Sequence, residues 1–359
     1  MPSYCSPSKE DNDITCFDKE ALIKIAEEYN KKYPNDAIQY NKKRIDKSKL
    51  WKDIQTKLMR FTPNCSEEYC LLENPILDNL KDKNILEDSF RPKMPSTWKN
   101  NPTEWLSTID IQAVMEQYEN KHPEFKFIGP VPIDFDHKIA VGMCISNELC
   151  NINLSRLYNA GIRKIGIIFN LDPHYLGGSH WVSLFLDMNT AGIYFFDSVG
   201  KQPPQEVQVL MSRLKNQGNK LILERKLKID DIDTTHDENY NFKKINNRTL
   251  KVGGKHNYGK LLDNVICINT DSLNHVISVE DDIVTVKLPI TCDNCNSFTS
   301  KCFKIFYNEK QFQKLDTECG IYSMNFIEEF LKGKKFNQII AEPKDDAHMI
   351  KKRKIYYRP

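Results

Sequence analysis

The chain has 359 residues, with 51 Lys and Arg against 49 Asp and Glu, a formal net charge of +2. That balance gives no global reason to expect nucleic-acid or membrane binding, and 40 % apolar with 28 % charged residues excludes a mostly disordered chain. Eleven cysteines are an odd number spread over a long chain, which excludes a small secreted disulfide scaffold and favours thiols in a reducing compartment. At about 150 residues per domain the length predicts roughly two domains, or one large domain with insertions. Met1 to Glu20 lacks the basic start and apolar run of a signal peptide, and runs such as Ile165–Phe169 and Val182–Leu186 are too short to span a bilayer.

Residues 1–95 are polar and Lys-rich and read as a helical accessory region. Apolar spacing predicts short amphipathic helices over Ala21–Tyr29 and Leu50–Phe61. Pro34, Pro63, Pro75, Pro92 and Pro95 break the region up. Cys65 and Cys70 have no partner pair nearby and read as ordinary thiols.

From residue 96 the pattern changes. Ser107 or Thr108 can cap a helix that carries Ile111, Val114, Met115 and Tyr118. Three β-like runs follow, Lys164–Asn170, His180–Asp187 and Gly192–Asp197. The first is nearly all apolar, as a buried central strand is. Gly177-Gly178 marks a turn between the first two. Pro203-Pro204 introduces a helix over Gln205–Asn216, with Val207, Leu210, Met211 and Leu214 on one face.

Residues 217–300 read as an insertion. Asp230–Asn247 is a polar loop, and short strands follow at Val265–Asn269, His275–Val279 and Ile283–Leu288. The clean pattern then returns, with a strand at Phe303–Tyr307 and a helix from about Cys319 to Lys332. Ile321, Met324, Ile327, Phe330 and Leu331 form its apolar stripe. These boundaries predict a main domain over 96–342, interrupted at about 217–300, and a basic tail over 343–359.

A cysteine nucleophile needs a base for the thiol proton, a group to orient that base, and donors for the oxyanion. Cys319 stands at a predicted helix start, where the helix dipole favours an anion, and Gly320 behind it lets a substrate approach closely. His180 opens an apolar strand just after Gly177-Gly178-Ser179, and Asp197 closes the next run. In an antiparallel pair the start of one strand lies beside the end of the other, which places an imidazole next to an orienting carboxylate. Taken singly, the three have ordinary explanations as a polar edge residue, a turn former and a small buried hydrophobe. Their order His, Asp, Cys, each at an element terminus, points to nucleophilic catalysis.

Gly-Ser-His180-Trp181-Val, Phe-Phe-Asp197-Ser198 and Gln313-x5-Cys319-Gly320 together resemble the papain-like cysteine proteases that process ubiquitin-like modifiers. That superfamily includes adenain, the adenovirus protease, and the maturation proteases of large DNA viruses. The resemblance spans about residues 100–335, and Trp105-Leu106-Ser107 with the run Ile165–Trp181 extends it to thiol proteases of giant nucleocytoplasmic large DNA viruses. It implies an α+β papain-like fold, with a mixed central sheet and the nucleophile helix packed on it. It implies Cys319 as nucleophile, His180 as base and then acid, and Asp197 as the group holding the imidazole. Gln313 would donate its amide to the oxyanion together with the backbone N–H of Cys319. Gln311 is the competing candidate by type, but the family spacing to the Cys is six, which is that of Gln313. Trp181 and Trp105 match aromatic positions that wall a narrow Gly-Gly channel in modifier proteases. Where those proteases follow Trp-Leu with an Asn-Asp-like pair, this chain has Ser107-Thr108.

The implied reaction is hydrolysis after a small residue, Gly-Gly or Ala-Gly like, through a thioester acyl-enzyme and with no cofactor. The implied partner is a protein substrate, a viral structural or core precursor, in host cytoplasm or virion. No membrane partner is implied, and nucleic acid only as a regulator. Two rivals share these residues or this fold: an isopeptidase removing ubiquitin-like modifiers, and a catalytically silent interaction module. Cys292-x2-Cys295 with Cys302 is a candidate zinc set, which Cys267 or His275 would complete, but its single CxxC and irregular spacing put free thiols ahead. Lys351–Lys354 reads as a solvated basic run rather than a nucleic-acid patch.

Overall fold

The computed structural model describes residues 4–9, 14–62, 67–78, 80, 86–223, 226–227 and 303–359, and the strands at 241–246, 249–253, 265–267, 273–280 and 283–287. Its helices are α1 (Lys19–Lys32), α2 (Lys47–Leu58), α3 (Thr108–Lys121), α4 (Asn147–Cys150), α5 (Leu154–Asn159), α6 (Gln205–Leu223), α7 (Cys319–Leu331), α8 (Phe336–Ala341) and α9 (Asp346–Tyr356). Its strands are β1 (Phe125–Pro132), β2 (Lys138–Ala140), β3 (Met143–Cys144), β4 (Lys164–Asn170), β5 (Trp181–Asp187) and β6 (Gly192–Phe196). After these come β7 (Asn241–Asn246), β8 (Thr249–Gly253), β9 (Val265–Cys267), β10 (Leu273–Glu280), β11 (Ile283–Lys287) and β12 (Lys304–Tyr307). The chain forms two compact units, residues 1–122 with 347–359, and residues 123–346.

The first unit is helical. Asp18 and Asp46 cap α1 and α2, each accepting a backbone N–H of the first turn. Ala21, Leu22, Ile25, Ala26 and Tyr29 of α1 join Leu50, Trp51, Ile54 and Leu58 of α2 in one core. Ser107 is the cap of α3, in a capping box with Asp110, so Thr108 is its first residue. The boundary expected at residue 95 falls inside this unit, because α3 and the C-terminal segment complete it.

The basic tail is not a solvated extension. It forms α9, and Lys352, Arg353, Tyr356 and Tyr357 are buried. The Arg353 guanidinium lies 4.5 Å from the Trp98 ring and donates to the Glu104 carbonyl at 2.7 Å. Tyr357 meets Trp98 edge-on at 4.9 Å. Four consecutive cations hid a segment whose aromatic and stacking residues bury it.

The second unit is built on a five-stranded mixed sheet in the order β1-β4-β5-β6-β12. β4–β5 and β5–β6 pair antiparallel, while β1–β4 and β6–β12 are parallel. One face carries Leu184, Leu186, Ile193 and Phe195 into a core closed by Val207, Leu210, Met211, Leu214 and Leu221 of α6. That helix therefore runs seven residues past its expected end, because Leu221 continues the apolar face.

The other face carries α7. Strand alternation sends Phe185, Tyr194 and Phe196 to this side, where they stack on the helix. Phe185 and Phe330 lie 4.5 Å apart, Tyr194 and Phe330 4.6 Å, and Phe196 and Phe326 4.8 Å. All of α7 is buried, a wider face than a single stripe predicts. Gly166 makes the approach possible, since a Cβ there would sit 2.9 Å from the Phe125 ring and 3.1 Å from Ile327. The α+β architecture, a mixed sheet with the Cys319 helix packed on it, is as expected.

Within 241–287 the strands form a second sheet, in the order β7-β8-β11-β10-β9 and antiparallel throughout. Of the polar loop expected over Asp230–Asn247, Asn241–Asn246 form β7, whose Lys-rich sequence carried no β signal, and the rest lies outside the described residues. Cys292, Cys295 and Cys302 lie outside the described residues.

Not all cysteines are free thiols. Cys5–Cys16 and Cys144–Cys150 are disulfides, with Cα atoms 5.0 and 6.3 Å apart, inside the bridging range. Cys70 is disulfide-bonded as well. The reading of Cys70 as an ordinary thiol is thereby corrected; Cys65 lies outside the described residues.

Candidate active site

The site forms where one end of the central sheet meets the N-terminus of α7. β5 and β6 are adjacent and antiparallel, with Ser183 opposite Phe196, so the residue before β5 and the residue after β6 share one edge. Those residues are His180 and Asp197. His180 Nε2 and Asp197 Oδ1 are 2.7 Å apart, with the carboxylate almost wholly buried.

The loop before His180 is tied down locally. Asn170 Oδ1 accepts the N–H of Ser179 at 3.2 Å, Ser179 Oγ donates to Asp172 Oδ1 at 2.7 Å, and the N–H of Leu171 donates to the His180 carbonyl at 2.9 Å. The imidazole thus enters the site from a fixed backbone.

Cys319 is the first residue of α7 and is buried. It is the only free cysteine among the residues whose side chains are described. Its side chain lies close enough to the His180 imidazole to help raise that group's pKa. Nε2 is engaged by Asp197, which leaves Nδ1 for the thiol. Burial pulls the His180 pKa down, but hydrogen bonds to Asp197 and Cys319, and the negative charges of both, outweigh it and push it up to about 9.

A second imidazole–carboxylate pair, His174 Nδ1 with Asp134 Oδ2 at 2.7 Å, lies on the surface. It has no thiol to act on among the described residues, since Cys144 and Cys150 are joined to each other.

Gln313 is buried beside Asp197-Ser198. The carbonyl of Ser198 accepts the N–H groups of Phe312 at 2.8 Å and Gln313 at 2.9 Å, and Ser198 Oγ donates to Gln313 Oε1 at 2.6 Å. Gln311 is exposed, and its side-chain amide donates to the Gln313 carbonyl at 2.9 Å, which engages it elsewhere.

Several contributors carried no sequence signal. Asn308 Oδ1 accepts the N–H of Asp197 at 2.9 Å, and its Nδ2 donates to the Asp197 carbonyl at 2.7 Å and the Lys310 carbonyl at 3.0 Å. Gly200, at φ +77, lets these segments close, because a Cβ there would lie 2.8 Å from the Glu309 carbonyl oxygen. Asp346 Oδ2 accepts the N–H groups of Lys314 at 3.0 Å and Leu315 at 3.1 Å, fixing the start of the loop from Gln313 to Cys319. Only the pairing of 197–200 with 308–313 across an intervening sheet reveals these roles.

The two tryptophans differ. Trp181 is buried at the start of β5, opposite Asn170 on β4. Trp105 belongs to the first unit, where it is exposed. No group of three or more His, Cys, Asp or Glu is placed to hold a metal ion among the described residues.

Comparison with known proteins bears on ancestry and fold. The chain is 29 % identical over 373 residues to a predicted thiol protease of Acanthamoeba polyphaga mimivirus, covering 99 % of this chain and 93 % of that protein. The chain is a homologue of viral thiol proteases. A cysteine protease of African swine fever virus is 24 % identical over 183 residues, covering 47 % of this chain and 67 % of the relative. The crystal structure of an African swine fever virus protease superposes with a TM-score of 0.55 at 16 % identity, covering 100 % of this chain and 96 % of that one, which shows a shared fold. No family model matches the chain. No helix among the described residues of this cysteine-protease homologue is long and apolar enough to cross a membrane.

Proposed function

We propose that this cysteine-protease homologue is an endopeptidase whose nucleophile is Cys319, with His180 as acid–base, Asp197 as its orienter and Gln313 as oxyanion donor. The observation that carries the reading is His180, bonded through Nε2 to Asp197 at 2.7 Å, with its pKa raised in part by Cys319 at the start of α7.

At neutral pH His180 is protonated, since its pKa stands at about 9. Cys319 Sγ attacks the scissile carbonyl, and the oxyanion forms against Gln313 Nε2 and the N–H of Cys319. His180 gives its proton to the leaving amine as the C–N bond breaks, leaving a thioester. It then takes a proton from water, which attacks the thioester and frees the acid and the thiol. Asp197 keeps the imidazole in place and supports its cationic form throughout.

The expected cleavage follows a small residue, Gly-Gly or Ala-Gly like, in a viral structural or core precursor. Trp181 beside His180 is the candidate wall that excludes larger side chains, and Trp105 is the candidate substrate contact of the first unit. The African swine fever virus relative is named SUMO-1 cysteine protease in another isolate, which favours a second reading: removal of a ubiquitin-like modifier by the same chemistry.

Thiol alkylation with iodoacetamide tests the nucleophile. Cys319 is expected to react fastest, and His180→Ala to slow it. Faster labelling of another cysteine, or no effect of His180→Ala, sinks the assignment. Incubation with candidate precursors and with a folded modifier conjugate, read by N-terminal sequencing of products, separates endopeptidase from isopeptidase. No cleavage of either by a chain with a reactive Cys319 would leave the silent module as the reading.

A further inference from the structure

We propose that Ser198 is a positioning residue that decides which end of the Gln313 amide faces the reacting carbonyl. The proposal rests on the oxyanion role of Gln313 given above. A side-chain amide has an acceptor end and a donor end of nearly the same shape, and rotation about its last torsion exchanges them. Only Nε2 can stabilise a developing oxyanion, and Oε1 in its place repels one. Something must therefore hold the amide one way round, and Gln313 is too buried, at 3 % exposure, for bulk water to do so.

Ser198 grips it at both ends. Its hydroxyl donates to Gln313 Oε1 at 2.6 Å, and its carbonyl accepts the Gln313 N–H at 2.9 Å. With Oε1 occupied, Nε2 is the end left for a substrate. Ser198 is itself 1 % exposed, so no solvent competes for its hydroxyl. Its own place is set through Asp197, whose backbone Asn308 holds from both sides. The dipeptide Asp197-Ser198 thus orients two different groups: its first side chain the imidazole, its second the amide. No catalytic step is asked of Ser198.

The test uses the full-length protein, a fluorogenic peptide ending in Gly-Gly, and the variants Ser198→Ala, Ser198→Cys, Ser198→Thr, Gln313→Ala and Ser198→Ala/Gln313→Ala. One neutral hydrogen bond corresponds to a change of roughly three- to tenfold. Ser198→Ala and Ser198→Cys, which lack a strong donor, are expected to lower kcat by about that factor with KM within about twofold. Ser198→Thr, which keeps the hydroxyl, restores most of it. Alkylation of Cys319 by iodoacetamide forms no oxyanion and should be unchanged in Ser198→Ala. The double variant should be no slower than Gln313→Ala, because without the amide there is nothing to orient.

Wild-type kcat in Ser198→Ala beside a slow Gln313→Ala overturns the positioning role alone. Slowed alkylation in Ser198→Ala, or losses that multiply in the double variant, also overturn it and make Ser198 a structural residue. Full kcat in Gln313→Ala overturns the oxyanion reading and this proposal with it.

Discussion

Asn308 holds Asp197 by both of its main-chain groups, accepting its N–H at 2.9 Å and donating to its carbonyl at 2.7 Å. Both residues are nearly inaccessible to water. Removing the amide leaves a buried donor and a buried acceptor unmatched, at about 1–3 kcal/mol for each such group. Asn308→Ala is therefore expected to lower the melting temperature and kcat together. Asn308→Asp keeps the acceptor but sets a carboxylate against a carbonyl oxygen, so it should fare no better. Calorimetry with turnover on one peptide checks both; a fully active, fully stable Asn308→Ala would show that β6 and β12 fix Asp197 without the clamp.

His180 sets the alkaline limit. Its folded pKa of about 9 lies above the ordinary 6.5, because Asp197 and Cys319 favour the cation more than burial disfavours it. The group contributes stability fully below pH 6.5 and loses it as pH rises through about 9. The acid needed by the leaving amine disappears over the same range, so kcat/KM should fall with an apparent pKa near 9. Asp197→Asn removes one source of the rise, so the limb should move to lower pH while activity drops. A limb that stays put in Asp197→Asn would mean that another group sets it.

Much of the site was legible because it sits at element ends that the apolar pattern defines. Uninterrupted runs in β4, β5 and β6 gave the hairpin, and the hairpin brought His180 beside Asp197. The periodicity behind Cys319 gave the helix start. The supporting residues were not legible, since their bonds cross long stretches of chain: Ser198 to Gln313 spans 115 positions and Asp197 to Asn308 spans 111. β1 was hidden by Pro130 and Pro132, which an edge strand tolerates. The Cys144–Cys150 bridge was hidden because composition argues compartment, whereas pairing is decided by how close the fold brings two Cα atoms.

Gly166 offers a packing test away from the chemistry. Its missing side chain leaves room for Phe125 and Ile327 between sheet and helix. Gly166→Ala places a methyl 2.9 Å from a ring packed in the core, so overpacking should cost about 1–3 kcal/mol. At Gly177 a Cβ would meet nothing within 4 Å, and Gly177→Ala should change stability by less than about 0.5 kcal/mol. Urea denaturation of the two variants compares them directly. Equal stability would mean that α7 shifts to absorb the methyl, and the position of Cys319 would then be softer than its burial suggests.

The C-terminal cations should divide sharply. Lys351 and Lys354 are exposed, whereas Arg353 stacks on Trp98 and donates to the Glu104 carbonyl. A hydrogen bond from a charged donor is worth about 1.5–3 kcal/mol and a partly desolvated stack on tryptophan about 1–2 kcal/mol, so Arg353→Ala should destabilise the first unit measurably. Arg353→Lys should not rescue it, because an ammonium lacks the planar face that lies on the indole. Lys351→Ala and Lys354→Ala should be close to neutral. Tryptophan fluorescence during urea titration, which Trp98 reports from beside Arg353, measures all four variants. A uniform response would return the segment to a solvated basic run, whose charge rather than whose geometry matters.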